Sequence, residues 1–391
     1  MSSAQGAAER VAGTTLRPAT QNPAPMFSSD DHRFMARALQ LAERGLYTAT
    51  PNPRVGCVVV REGRIIGEGW HEKAGQAHAE ANALAAAAAA GESAERATVY
   101  VTLEPCNHLG RTPPCTDALI NAGVARVVAA MRDPNANVTG GGLQRLQSAG
   151  IAAQHGLMQQ EARQLNHGFV SRMTRGRPWL RLKVAASLDG KTALVNGTSQ
   201  WITGTEARRD GHAFRARACA VLTGAGTVLE DDPRLTVRDV ATTRQPLRVV
   251  VDSKFEVPLS AKILEGGNAL VACARDDPAK AAALRAMDVD TVRLPNPDGK
   301  VDLLLLMQEL AKREINEVHA EAGSRLNGSL LRAGLVDELL LYLAPMLIGD
   351  SARGMFSLPE LAELAGARRL EMFDQRMVGG DLRVRACTIP I

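Results

Sequence analysis

Apolar residues along this chain follow two periods, one helical and one strand-like. Phe34, Met35, Ala38, Leu39 and Ala42 recur at helical spacing, with Asp30 or Asp31 placed to cap the helix and Gly45 to stop it. Pro51-Asn52-Pro53 reads as a rigid loop. Val55 to Val60 reads as a strand, Glu62-Gly63 as a turn, and Ile65 to Trp70 as the hairpin partner. The alanine-rich run opened by His78 and closed by Gly91 predicts a helix, because alanine is the best helix former. Thr98 to Leu103 reads as a buried strand running into Glu104-Pro105-Cys106. Pro113-Pro114 starts a helix that ends at Gly123, and Val124 to Ala130 is the next strand. Strands alternating with helices predict an α/β fold with a largely parallel sheet covered on both faces.

The pattern breaks at Thr174-Arg175-Gly176-Arg177-Pro178, a short polar stretch suited to a domain boundary. A second series then follows, with strands expected near 179–186, 219–223, 247–252, 269–273, 317–321 and 336–344. Helices are expected at 205–217, 301–313 and 325–333. The expected division is therefore a disordered tail over 1–29, one domain over 30–174 and a second over 178–391, each with its own core.

Composition narrows the function. Of 391 residues, 45% are hydrophobic and 23% charged, as in soluble globular protein. The net charge of +4 and an aromatic content of 3% do not make a nucleic-acid footprint. No apolar run reaches the ~20 residues of a membrane span. Six cysteines over such a length point to a reducing compartment, so a cytoplasmic enzyme is expected.

The chemistry gathers in the first half. His78 lies at a helix start, Cys106 at a strand end and Cys115 at the next helix start. One imidazole and two thiolates suit tetrahedral zinc and leave a fourth position for water, the mark of a catalytic site. Glu80, two residues from His78, is placed to move protons. His-x-Glu followed by Pro-Cys and a further Cys is a zinc-deaminase arrangement. Here eight residues separate the cysteines, and His108 and Arg111 in that spacer are candidates for shaping a pocket. Each residue alone has a bland reading, such as a solvated histidine or a buried thiol; their order and placement favour the metal. His71 and His108 are weaker ligand candidates, and Cys57 is read as core.

Glycine and hydroxyl residues mark the strand-to-helix turns of the second half, at Gly224 to Asp232 and at Glu321 to Ser329. Neither matches a stock nucleotide motif, so an anion cradle and plain helix-start chemistry both remain open there.

The stretches PNPRVGCVVV, HAEANAL and TLEPCNHLGRTPPC resemble the deaminase half of the bifunctional riboflavin-biosynthesis deaminase–reductases. KVAASLDGK, SQWIT, GAGTVLEDDPRLTVR and EAGSRLNGSLL resemble the reductase half of the same family. The resemblance implies a cytidine-deaminase-like three-layer domain followed by a dihydrofolate-reductase-like domain. It implies Zn2+ on His78, Cys106 and Cys115, with Glu80 as proton shuttle and Asn52 touching the substrate pyrimidine. NADPH would be lined by Ala185, Trp201, Thr227, Asp231, Ser253 and the loop Gly323, Ser324, Arg325, Leu326, Asn327, Gly328 and Ser329. The second substrate site would hold Ser199, Arg215, Leu235, Arg238 and Glu321. The implied partner is a small pyrimidine ribosyl phosphate, with no nucleic acid and no membrane, and the implied assembly is a homo-oligomer. The rival reading is a nucleic-acid or nucleoside deaminase carrying an appended nucleotide-binding domain.

Overall fold

A computed structural model describes residues 26–109, 113–135 and 138–388. Helix α1 (Ser29–Glu43) is capped by Ser28, not by Asp30 or Asp31. The Ser28 side chain accepts from Asp31 N and the Asp31 carboxylate accepts from Ser28 N, a reciprocal capping box. Residues 28 and 29, assigned to the tail by composition, therefore belong to the fold.

Strands β1 (Gly56–Arg61) and β2 (Arg64–Trp70) form the expected hairpin, its Glu62 and Gly63 both at positive φ. Helix α2 (Ala79–Ala89), strand β3 (Thr98–Val101), helix α3 (Cys115–Asn121) and strand β4 (Arg126–Ala129) follow as read. Helix α4 (Gly141–Ser148), strand β5 (Ala152–His155) and helices α5 (Gln159–Leu165) and α6 (His167–Arg175) complete the first half. The sheet order is β2-β1-β3-β4-β5. Only β3-β4-β5 is parallel; β1 pairs antiparallel with both β2 and β3. The sheet is mixed, not largely parallel, because a tight hairpin can only return antiparallel. A Cβ on Gly69 of β2 would lie 2.4 Å from Ala83 N, so glycine lets the alanine helix α2 rest directly on the sheet.

The second half opens with β6 (Trp179–Ser187), β7 (Lys191–Ala193), α7 (Thr205–Arg217), β8 (Ala220–Gly224) and α8 (Ala225–Asp231). β9 (Leu247–Asp252), β10 (Ala269–Cys273), α9 (Pro278–Arg285), β11 (Val289–Arg293) and α10 (Leu303–Lys312) come next. β12 (Glu317–Glu321), α11 (Ser324–Arg332), β13 (Glu338–Ala344), the short β14 (Arg353–Gly354), and the hairpin β15 (Leu370–Val378) and β16 (Asp381–Thr388) close the chain. One nine-stranded sheet runs β11-β10-β9-β8-β12-β6-β13-β16-β15. It is parallel from β11 to β13 and antiparallel at the final hairpin.

Alternate residues of the central strands feed two cores. Leu222, Val249 and Leu270 pack on one face; Val221, Val250 and Val271 pack on the other. Burial on both faces explains why these strands read as unbroken apolar runs. The first half has a separate core around Met35, Val58, Val99 and Val127. Polar contacts join the halves: Arg54 Nη1 lies 2.7 Å from Glu317 Oε1, and Thr50 Oγ1 lies 2.9 Å from Cys219 Sγ. The stretch between α6 and β6 is held in place, with Arg175 and Arg177 both paired to Asp337.

Candidate functional site

Three chain segments bring the metal-binding candidates together. His78 is the N-cap of α2; its side chain makes no capping bond, which leaves the ring free. Cys106 follows the bend after β3, and Cys115 is the first residue of α3. His78 Nδ1 lies 3.3 Å from Cys115 Sγ and 3.5 Å from Cys106 Sγ. The three donor atoms lie within 4.8 Å of one another, the single such group among the described residues. The Cys115 thiol and backbone N–H, with His78, hold the Cys106 thiol well below its ordinary range. An imidazole and two cysteine sulfurs, Cys106 held low as a thiolate, on converging segments fit zinc, and among the described residues no further His, Cys, Asp or Glu joins them, as in open catalytic sites.

Glu80 sits in the first turn of α2 and is 4% exposed. Burial pushes its carboxyl up to about 7, a value suited to both taking and giving a proton near neutrality. A cavity of about 590 Å³ opens over this group, lined by Asn52, His71, His78, Glu80, Cys106 and His108 among others. His71 is not a ligand: its Nδ1 faces Ala77 O at 3.1 Å, and its Nε2 lies 3.0 Å from Asn52 Nδ2. With Nδ1 donating, Nε2 accepts from the Asn52 amide. His108 lines the cavity without joining the donor cluster, and Arg111 lies outside the described residues. Cys57 is fully buried core, as expected.

Glu104 carries a structural role that sequence reasoning missed. Its carboxylate accepts from the backbone N–H groups of Asp133, Gly140, Gly142 and Leu143. These bonds cap α4 and anchor the segment that precedes Pro105-Cys106. Arg172 and Asp133 on the cavity wall were missed as well. No local spacing marks them, because they reach the cavity from α6 and from the loop after β4.

In the second half, adjacent strands β8 and β12 send their chains in opposite directions. The next strand after β8 is its neighbour β9, whereas β12 leads across β6 to β13. Such a switch point opens a crevice at the carboxyl ends of the strands, where α/β sheets bind ligands. Gly224 and Leu326 meet there, as do Gly323 and Thr227. The expected loop from Gly323 to Ser329 is mostly helix: Gly323 is the N-cap of α11, and Ser324, Arg325 and Leu326 form its first turn. Asn327 and Gly328 instead pack on the 355–357 segment, and Ser329 Oγ donates to Arg325 O.

The remaining predicted residues divide by place. Ala185 lies on β6 beside β13, and Asp231 ends α8, exposed. Trp201 is exposed with the Arg208 guanidinium 4.5 Å from its ring centre. Ser253 Oγ accepts from Val301 N. Ser199 is half-buried, Leu235 is buried at a positive φ, and Arg238 is exposed. Arg215 pairs with Glu321 at 2.7 Å and also donates to Thr236 O. Lys183 Nζ lies 3.7 Å from the other Glu321 oxygen. Asp189 is spent on Ser187 and on the N–H groups of Ile348 and Gly349.

Residues 28–131 match the family profile described as the cytidine and deoxycytidylate deaminase zinc-binding region. Residues 178–381 match that of the RibD C-terminal domain. The riboflavin biosynthesis protein RibD of Escherichia coli (strain K12) is 51% identical over 365 residues, covering 90% of this chain and 98% of the relative. That of Haemophilus influenzae is 46% identical over 371 residues, covering 92% and 97%. A solved structure of Acinetobacter baumannii RibD has a TM-score of 0.86 and 43% identity, covering 92% of this chain and 99% of that one. The Thermotoga maritima diaminohydroxyphosphoribosylaminopyrimidine deaminase/5-amino-6-(5-phosphoribosylamino)uracil reductase has a TM-score of 0.82 and 33% identity, with the same coverage. The mixed α/β sheets, the cluster of one histidine and two cysteines beside a buried carboxylate, and likeness over nine-tenths of the chain converge: it belongs to the RibD family, the bifunctional deaminase–reductases of riboflavin biosynthesis.

Proposed function

We propose that the first half, 30–174, deaminates a diaminopyrimidinone bearing a ribosylamino 5′-phosphate, and that the second half, 178–391, reduces the ribosyl group of the product to ribityl with NADPH. The carrying observation is the cluster of His78, Cys106 and Cys115 within 4.8 Å, with His78, Cys106 and buried Glu80 lining one cavity. These three residues hold zinc. Bound zinc supplies a Lewis acid that brings the pKa of a water towards neutrality. Glu80 relays two protons in turn: the first, taken from water on a carboxylate oxygen, goes to the ring nitrogen, and the second, taken from the hydroxyl of the adduct, goes to the amine, which departs as ammonia. Asn52, oriented by His71, contacts the pyrimidine.

In the second half, Thr227, Gly323 and the first turn of α11, at the crevice between β8 and β12, would hold NADPH. Ala185, Trp201, Asp231 and Ser253 complete its surroundings. Bound NADPH supplies the hydride, and the protein orients it. Ser199, Leu235, Glu321, Arg215 and Arg238 hold the substrate. Arg238, exposed, is the better phosphate partner, since Arg215 is already engaged with Glu321. The chain works as a homo-oligomer in the cytoplasm, where its free thiols stay reduced. The family likeness does not favour the nucleic-acid rival.

One assay tests both halves. The pyrimidine is supplied with and without NADPH, while ammonia release and NADPH oxidation are followed separately. Ammonia is expected in both conditions, and oxidation only after deamination. Absence of ammonia release from the zinc-loaded enzyme would refute the first assignment.

A further inference from the structure

The reductase half reaches into the deaminase cavity. The turn between α10 and β12 places Glu314 on the cavity wall, at a φ of 60°. Two residues further on, Asn316 is 5% exposed and makes two bonds into the first half. Its Nδ2 donates to Pro51 O at 2.7 Å, and its Oδ1 accepts from Arg172 Nε at 2.7 Å. Pro51 and Arg172 both line the cavity beside Asn52 and His78. Burial lowers the Arg172 pKa, and the negative charge of Glu314 partly offsets that.

The geometry suits one task. Prolines flank Asn52, so its loop has few backbone donors, and its carbonyl groups are the available handles. Asn316 grips the loop through Pro51 O, while the His71 ring accepts from the Asn52 amide. Arg172 Nη2 lies 3.5 Å from the same Pro51 carbonyl, so Asn316 joins loop and α6 in one network. Interdomain adhesion alone does not require an anchor adjacent to the residue that faces the substrate.

We propose that Asn316, carried by the reductase half, is a positioning residue for the deamination: it fixes the Pro51-Asn52-Pro53 loop and Arg172 at the rim of the hydrolytic cavity. The proposal rests on the reading of that cavity as the deaminase site. It means that the first reaction needs the second domain for geometry, although no reductase chemistry is involved.

The test uses the full-length zinc-loaded enzyme with Asn316→Ala and Asn316→Asp. Alanine removes both bonds. Aspartate keeps the acceptor for Arg172 but turns an anion towards Pro51 O, and its equal size serves if the alanine variant does not accumulate. Ammonia release is measured against pyrimidine concentration, and NADPH oxidation against the deaminated substrate. KM for deamination should rise about tenfold or more with kcat within about threefold, because small misplacements of substrate-positioning groups are costly. Zinc content and both reductase constants should match wild type. An unchanged deaminase KM, a loss carried by kcat alone, or a parallel fall of both activities would each overturn the proposal. A wild-type enzyme that releases no ammonia would instead refute the deaminase assignment itself.

Discussion

Glu317 offers the sharpest test of how the two halves are held together. It is 1% exposed and stands at the start of β12 among four basic groups. Arg54 of the first half lies at 2.7 Å, Arg217 at 2.8 Å, His167 at 3.4 Å and Arg181 at 3.6 Å. Burial alone raises its carboxyl, but Arg217, Arg54 and His167 outweigh burial and hold it well below the usual carboxylate range. Glu317→Gln keeps the shape and removes the charge. Arg181 retains Glu338 at 3.0 Å, and Arg54 retains the Leu165 carbonyl at 2.9 Å. Arg217 keeps only the His167 ring, and burial already lowers its pKa to about 10. The loss therefore amounts to one uncompensated buried cation, at the low end of the range for a broken buried pair, about 3 kcal/mol. At roughly 2–4 °C per kcal/mol, calorimetry of the zinc-loaded chain should show Tm lower by about 6–12 °C. The double variant Glu317→Gln/Arg217→Met should recover much of that loss, because it deletes the stranded cation. The depressed carboxyl gives the pH dependence its sign. The wild-type advantage is full above the unfolded carboxyl value of about 4.3 and shrinks as pH falls below it. A Tm within about 2 °C of wild type at neutral pH, or strictly additive losses in the double variant, would refute this reasoning.

Glu80→Gln should retain zinc and reductase activity while ammonia release falls about 10²–10⁴-fold, since the amide cannot cycle a proton; near-normal release would exclude Glu80 as the shuttle. Cys106→Ser should lose most of its zinc by metal analysis, and full retention would remove Cys106 from the site. A Cβ on Gly142 would fall 2.0 Å from Pro105 O, so Gly142→Ala should displace the Cys106 segment and weaken zinc retention under a chelator, with wild-type retention as the contrary result. His212 is held neutral, mainly by burial, with its pKa lowered to about 4. Because the unfolded ring takes a proton near 6.5 and the folded one does not, stability should fall as pH drops from about 6.5 towards 4. His212→Gln should flatten that slope in urea titrations, and an unchanged slope would count against the assignment.

The sequence by itself determined the elements and the chemistry that depend on neighbours in the chain. The His-x-Glu pair, the Pro-Cys strand end and the cysteine at a helix start lie where elements begin or end, so periodicity and turn residues placed them correctly. The apolar runs of β8, β9 and β10 were equally plain, because both faces of those strands are buried. Helices α4 to α6 went unread, and so did the final hairpin, although the alternation of Leu382, Val384 and Ala386 with Arg383 and Arg385 in β16 carries a period of two. The cap of α1 was misread because Ser28 and Asp31 act as a pair, and Asp31 also binds Tyr100 and Arg126 far along the chain. Only the tertiary structure decided that Glu104 holds four backbone N–H groups, that Arg215 is occupied by Glu321, and that Asn316 and Glu317 join the halves. These contacts span about a hundred residues or more, apart from those of Glu104 with the nearby α4 segment. A buried polar side chain takes whichever partner the packing brings within reach, and local patterning holds no record of that partner.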